Sequence, residues 1–284
     1  MPLNPQLANS IATIKNYVQD PNNLYAVFRA GALTSDLETP MVTFIGARTM
    51  SYPVFPLATE DMSDYNPKTG FTRENATLER REATVSQDKG YQIGIDTLDL
   101  QDSGTTGVSF VNNKIRQTDI PTVDKYRLNK LYTGGQQVST EQVTKDNALA
   151  LYDAAKAHFI NNEIPVDGTI LYCTTTYYNA LKDSSRVFRQ VSASEGGNIS
   201  RDVDYLDKQT KIVVVPETRW PATEAQFIMV NPKVVICGVK HVVSRFVEEP
   251  EDFDGILINR RLVHDLIIQE DRAKGVYVSK YSAD

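Results

Sequence analysis

The chain has 284 residues, 41% of them apolar and 23% charged, with a net charge of −6. That is enough apolar material for one large or two ordinary domains with a real core, and it excludes a globally disordered chain. The acidic balance argues against a protein that coats nucleic acid or an anionic membrane, and no apolar run approaches the ~18–20 residues of a membrane span.

Leu7, Ile11, Ile14 and Val18 recur at helical spacing, which predicts a short helix with one narrow apolar stripe, closed by Asp20-Pro21. So thin a stripe needs a partner surface, and residues 1–40 read as an arm. Met41–Ile45 reads as a strand. Tyr52-Pro-Val-Phe-Pro56 is apolar but carries two prolines, which confines it to an edge or irregular strand. Glu60 to Glu82 is almost all polar, with a turn signal at Asn66-Pro-Lys-Thr-Gly70. Ala76–Val85 resumes as a polar strand. The result is a long hairpin-like excursion with little to bury on itself, and isolated two-stranded hairpins are marginal in water. Both segments are therefore expected to make contacts between subunits: the arm through Leu7, Ile11, Ile14 and Val18, the excursion through Glu60, Asp61, Arg73, Arg80 and Arg81.

Lys89–Asp96 alternates as a strand does, and Leu98–Thr106 reads as a turn. From about Gly107 to Tyr132 the pattern is helical. Val108, Val111, Ile115, Val123 and Tyr126 fall on one broad side, while Phe110, Leu128 and Tyr132 fall away from it. Such a helix touches more than one neighbour, so it reads as a spine. Pro121 sits inside it and should bend or break it.

Residues 136–240 look conventional. Thr144 or Ser139 caps a helix running to about Asn162, with Leu149, Tyr152, Ala155 and Phe159 on one face. Ile164-Pro165 ends it. Gly168–Cys173, Lys211–Val215 and Phe227–Val230 read as buried strands, and Thr174 caps a second helix. Residues 241–284 read as an antiparallel meander of strands.

Candidate chemistry is sparse. His264-Asp265 looks like a dyad, but neighbours on a strand point to opposite faces and cannot pair with each other. His158, His241 and His264 are scattered, as are Cys173 and Cys237, and none has metal-ligand spacing. The cysteines sit in apolar runs and read as buried free thiols. Lys68-Thr-Gly70 and Ser86-Gln-Asp-Lys89 match triplets of serine β-lactamases in the wrong chain order. The acidic run Glu248–Asp254 reads as a solvated loop. No phosphate-binding glycine loop and no nucleophile elbow occurs. The expectation is a protein with no catalytic residue, cofactor or metal.

Several stretches in this order carry a resemblance. They are Asp88–Asp96, Ile120–Leu128, Gly168–Asn179, Val187–Gln190, Ile212–Glu217, Phe227–Pro232, Arg261–Asp265 and Lys274–Val278. In order and spacing they resemble the major capsid proteins of tailed bacteriophages, across nearly the whole chain from about residue 40. No single motif among them is diagnostic. The resemblance implies an α+β, Hong Kong 97-like phage capsid fold with five parts: an N-terminal arm at 1–40, an extended E-loop hairpin region at 41–95, the P-domain's long spine helix at 96–135, an A-domain at 136–240 and P-domain strands at 241–284. It implies self-assembly as hexamers and pentamers into an icosahedral shell, in the virion, around double-stranded DNA that is not read by sequence. Synthesis would be in the bacterial host cytoplasm, with a portal, no membrane, and (since Met1 opens directly on a short arm) a separate scaffolding protein or none. Cellular encapsulin nanocompartments share that fold. A soluble α/β metabolic enzyme is the alternative of a different class.

Overall fold

The structure is a computed structural model; it describes residues 5–40, 42–46, 48–54, 65, 67–68, 70, 79–102, 107–184, 203–248, 250–252 and 254–281. Two helices open the chain, α1 (Pro5–Gln19) and α2 (Pro21–Gly31). Asp20 separates them: its carboxylate accepts the Asn22 N–H as an N-cap, and Pro21 starts α2, where a missing N–H costs nothing. Strands β1 (Thr43–Ile45), β2 (Thr49–Val54), β3 (Glu79–Thr84) and β4 (Gln87–Asp96) follow, then α3 (Thr97–Asp102). Leu98–Asp102 is thus helical, not the turn expected; Asp96 caps it by accepting the Leu98 N–H.

The spine is helical from α4 (Gly107–Lys114) through a π-helical turn (Ile115–Asp119) to α5 (Ile120–Gly134). Pro121 does not break the helix. Its ring would strike the carbonyl four residues back and it lacks an N–H. The helix absorbs this by widening the preceding turn, where the Ile120 N–H donates to the Ile115 carbonyl, five residues away.

The rest of the chain contributes β5 (Gln136–Thr140), α6 (Ala148–Asn161), β6 (Ile170–Cys173), α7 (Thr175–Asp183), β7 (Tyr205–Leu206), β8 (Thr210–Val214), β9 (Ala225–Val230), β10 (Val235–Glu248), β11 (Gly255–Ile268) and β12 (Val276–Tyr281). Asn147, not Thr144 or Ser139, is the residue before α6, and Ser139 lies in β5. Thr144 and Asn147 exchange bonds there, main chain to side chain in both directions. Thr174 caps α7 as expected, accepting the Tyr177 N–H.

Three sheets result. A mixed sheet has the order β5-β12-β9-β6-β8-β7. Its faces alternate cleanly: Leu171, Cys173, Phe227 and Met229 meet Tyr152, Phe159, Tyr177 and Leu181 of α6 and α7, while Ile170, Tyr172, Ile228 and Val230 meet Leu128 and Leu131 of α5. The second sheet is β10-β11-β4, fully antiparallel, with β10 and β11 forming a long hairpin. One face of it packs on α1, α2 and the first half of the spine through Ile256, Ile258 and Leu262. The other face, through Ile236 and Val263, carries the third sheet, β1-β2-β3.

Three expectations need correcting. Residues 241–284 do not form one meander: β12 leaves that group and enters the mixed sheet, parallel to β5 and antiparallel to β9. Val276–Ser279 are all buried, and a strand buried on both faces belongs inside a covered sheet. Strand β10 also crosses the expected 240/241 boundary. Pro53 keeps the edge character expected of it: β2 lies between β1 and β3, but β1 pairs only with Thr49–Ser51, so among the described residues Pro53 has no neighbour on that side. The arm stripe does not lack an internal partner: Ile14 and Val18 are fully buried against Val111 and Ile115 of the spine. At Gly107 a Cβ would sit 2.3 Å from Cδ1 of Ile14, so α1 approaches the spine over a residue with no side chain.

Candidate subunit-contact surface and its anchors

Of the residues expected to face another subunit, Glu60, Asp61 and Arg73 lie outside the described residues, as does the side chain of Leu7. Ile11 is partly covered beside Ile14 and Val18. Arg80 and Arg81 are both exposed on β3. Arg80 works within its own sheet: Nε donates to Ser51 Oγ at 3.1 Å and Nη2 to Thr43 Oγ1 at 2.8 Å, tying β3 to β2 and β1. Arg81 stands opposite Tyr52 in the register.

The three-stranded sheet is better anchored than a free hairpin. Met50, Tyr52 and Val85 are buried against Ile236 and Val263. At its root the Ser86 N–H donates to Asp265 Oδ2 at 2.8 Å, and the Ser86 hydroxyl lies 2.7 Å from the Tyr126 hydroxyl. Tyr126 donates to Asp265 Oδ1 at 2.7 Å. Burial, with the Asp265 contact adding to it against the Ser86 hydrogen bond, pushes the Tyr126 hydroxyl up to about 12. Beside this knot Asp88 receives Arg261 through two bonds and Arg48 through one at 2.8 Å. The Arg261 hydrogen bonds hold its carboxyl far below the usual carboxylate range, with Arg48 adding to the effect. One aspartate thus joins β2's entrance, β4 and β11.

His264 and Asp265 do not bond each other, as their opposite orientation on β11 requires. Asp265 goes to the knot. His264 is 1% exposed, meets the edge of the Tyr126 ring at 5.2 Å, and neither ring nitrogen has a hydrogen-bond partner among the described residues. Burial lowers its pKa to about 4, with Arg127 and Lys89 adding to the effect. His158 Nε2 lies 3.1 Å from the Lys274 carbonyl oxygen. Cys173 and Cys237 are free and buried, and burial raises their thiols to about 12 and about 11.

Sequence reasoning missed the buried ionic network that holds the N-terminal segment to the spine. Asp124 accepts the Leu33 and Thr34 N–H groups, the Thr34 hydroxyl at 2.6 Å and Arg219 Nη1 at 3.0 Å. Arg127, fully buried, donates Nη1 to the Thr34 carbonyl and Nη2 to Glu38 at 3.0 Å. Tyr25 donates its hydroxyl to the same Glu38. The one visible signal was Asp124 and Arg127 at i, i+3 on an otherwise apolar helix face. A second buried pair, Asp119–Arg260, pins the π-helical turn to β11. No group of three metal-ligating side chains occurs among the described residues, and no described helix is long and apolar enough to cross a membrane.

No protein-family model matches the sequence, and no curated protein matches it. Solved structures do. The chain is similar to the mature capsid subunit of bacteriophage PhiM1, with TM-score 0.59 at 12% identity, covering 84% of this chain and 83% of that one. It is similar to the capsid subunit of cyanophage P-SCSP1u, with TM-score 0.57 at 15% identity and 88% of each chain covered. It is also similar to the virus-like particle from Pyrococcus furiosus, with TM-score 0.56 at 13% identity, covering 92% of this chain and 99% of that one. The fold is the one these shell subunits share: an α+β subunit with a sheet-based excursion, a spine and a separate mixed-sheet block.

Proposed function

We propose that this chain is the coat protein of a tailed bacteriophage, assembling through hexamers and pentamers into the icosahedral head that encloses double-stranded DNA. The observation that carries this reading is the extent of the fold match. It runs over 88% of both chains for the cyanophage capsid subunit, so this chain and that one spend their length on the same parts. The net charge of −6 suits a wall that must not adhere to packaged DNA. Within this reading residues 1–40 are the arm and the sheet β1-β2-β3 is the root of the E-loop. The spine with β4, β10 and β11 is the P-domain, and the mixed sheet, β12 included, is the A-domain. A separate scaffolding protein and a portal are the expected partners, and no catalytic step is assigned.

The virus-like particle match, at 92% and 99% coverage, favours a second reading, a cellular nanocompartment. Negative-stain microscopy of the purified protein, with and without a scaffolding protein, tests both. Shells, tubes or capsomers are expected; a uniform compact monomer under both conditions would overturn the assignment. A gene neighbourhood with a portal and terminase marks a phage, and a cargo enzyme marks a nanocompartment.

A further inference from the structure

Between the π-helical turn and the sheet β10-β11-β4 lies a cavity of about 230 Å³, lined among others by Lys89, Tyr91, Asp119, Arg260 and His264. The strand period builds it. Arg260, Leu262 and His264 alternate along β11 toward the spine, and Lys89 pairs with Leu262 in the register. Its charges are unequal. Asp119 is committed to Arg260, whereas Lys89 is exposed and has no carboxylate partner among the described residues. His264 also lines it, buried to 1% exposure with both ring nitrogens unpartnered among the described residues. A neutral imidazole offers one N–H donor and one acceptor, and a buried polar group without a partner is costly. Val123 and Leu262 supply apolar wall. An exposed ammonium, a buried donor and an apolar side wall together fit a carboxylate on a short aliphatic stem.

The same sheet presents such groups at its opposite end. The β10–β11 connection carries Glu251 and Asp252, both exposed and without an ion-pair partner in their own chain among the described residues. They cannot reach their own cavity. Gly255 begins β11, and Lys89 pairs with Leu262, seven residues further on, or roughly 23 Å along the strand. A second copy can. We propose that the cavity receives the carboxylate of Glu251 or Asp252 from a neighbouring copy of this chain, with Lys89 meeting the charge and the His264 N–H donating to it. The contact is head-to-tail, so it propagates around a ring rather than closing a pair. It rests on the shell-forming reading above. One charged contact is weak for a free small anion, but in a ring it repeats at every subunit and at high effective concentration.

A charge swap tests this. Lys89→Glu and the double change Glu251→Lys/Asp252→Lys should each lower shell yield roughly tenfold or more, measured by sedimentation of folded protein. Combining all three should restore most of the yield. Far-UV circular dichroism and the thermal midpoint check that each variant is folded, and Lys89→Gln, which only removes the charge, should give an intermediate loss. Normal shells from either reversal, or no rescue by the combination, would overturn the proposal while wild-type shells still support the reading it rests on. Wild-type protein that forms no shell overturns that reading and the site with it. Loss of shells in Lys89→Glu alone, with acetate titrating onto wild-type subunits by NMR, would assign the cavity to a free anion instead.

Discussion

His264 is the buried residue whose shifted protonation falls within an accessible pH range. Its pKa in the folded chain is lowered to about 4 by burial, against about 6.5 unfolded. A base whose folded pKa is depressed is favoured neutral, so between those values the unfolded chain binds more protons than the folded one. Stability therefore falls as pH drops from about 6.5 toward 4. At pH 4.5 this should amount to about 2 kcal/mol. Urea unfolding of the wild type and of His264→Gln at pH 7 and 4.5 checks it: the wild type should lose more than the variant by about that amount, and equal losses would count against the depressed value. Arg127 makes a second residue-scale prediction. It is fully buried, with Glu38 and Asp124 beside it. Arg127→Met should cost about 3–5 kcal/mol, because it leaves the nearly buried Glu38 carboxylate without its guanidinium partner rather than merely losing a contact. A loss below about 1 kcal/mol would mean the network relaxes into solvent.

Among the elements, the first helix changes its meaning most. Its stripe was legible in the spacing of Ile11, Ile14 and Val18, but not what would cover it. The covering residues, Val111, Ile115 and Ile256, lie ninety or more positions away, and periodicity carries no information at that range. Ile14→Ala should therefore cost about 2–5 kcal/mol in unassembled subunits, as core truncations do; a stripe serving only neighbours would leave subunit stability unchanged. The spine shows a different limit. A uniform 3.6-residue count placed Tyr126 on one broad side with Val123 and put Leu128 on another, and Leu128 does meet a second core. The π-helical turn adds one residue, and the buried positions are Val111, Ile115, Asp119, Ile120, Val123, Asp124, Arg127, Leu128 and Leu131, with Tyr126 only partly covered. Pro121 announced a disturbance there, but sequence alone did not say that a wider turn would resolve it. By contrast the α6 face and the Thr174 cap were legible because the spacing that marks the one and the hydrogen bond that makes the other each lie within a few residues.

For the whole molecule, the order of parts was readable and their partnerships were not. Strand β12 is apolar enough to be recognised as a strand, yet its insertion between β5 and β9 pairs residues far apart in the chain. The Asp88 and Asp265 knots have the same character: each joins segments more than a hundred residues apart. Residues 60–75 are almost all polar and offer little to a core. Deleting residues 60–75 should thus leave the subunit folded, with a denaturation midpoint near that of the wild type. If the excursion clamps neighbours, as the coat-protein reading requires, the same deletion should block shell closure under electron microscopy. Normal shells from the shortened chain would remove it from that role.

The β10–β11 hairpin also has a mechanical meaning. It is rooted in the core beneath the mixed sheet through Val235, Cys237 and Leu266, and runs past the helices to its tip at Glu248–Gly255. Its hydrogen bonds lie across the strands. A pull along the hairpin therefore loads the whole ladder in shear at once, whereas a pull across it would open one rung at a time. On the coat-protein reading, where the wall is stretched by what is packed inside, such a ladder would act as a tie-rod, and the direction in which it lies would decide how much tension each subunit bears before it yields.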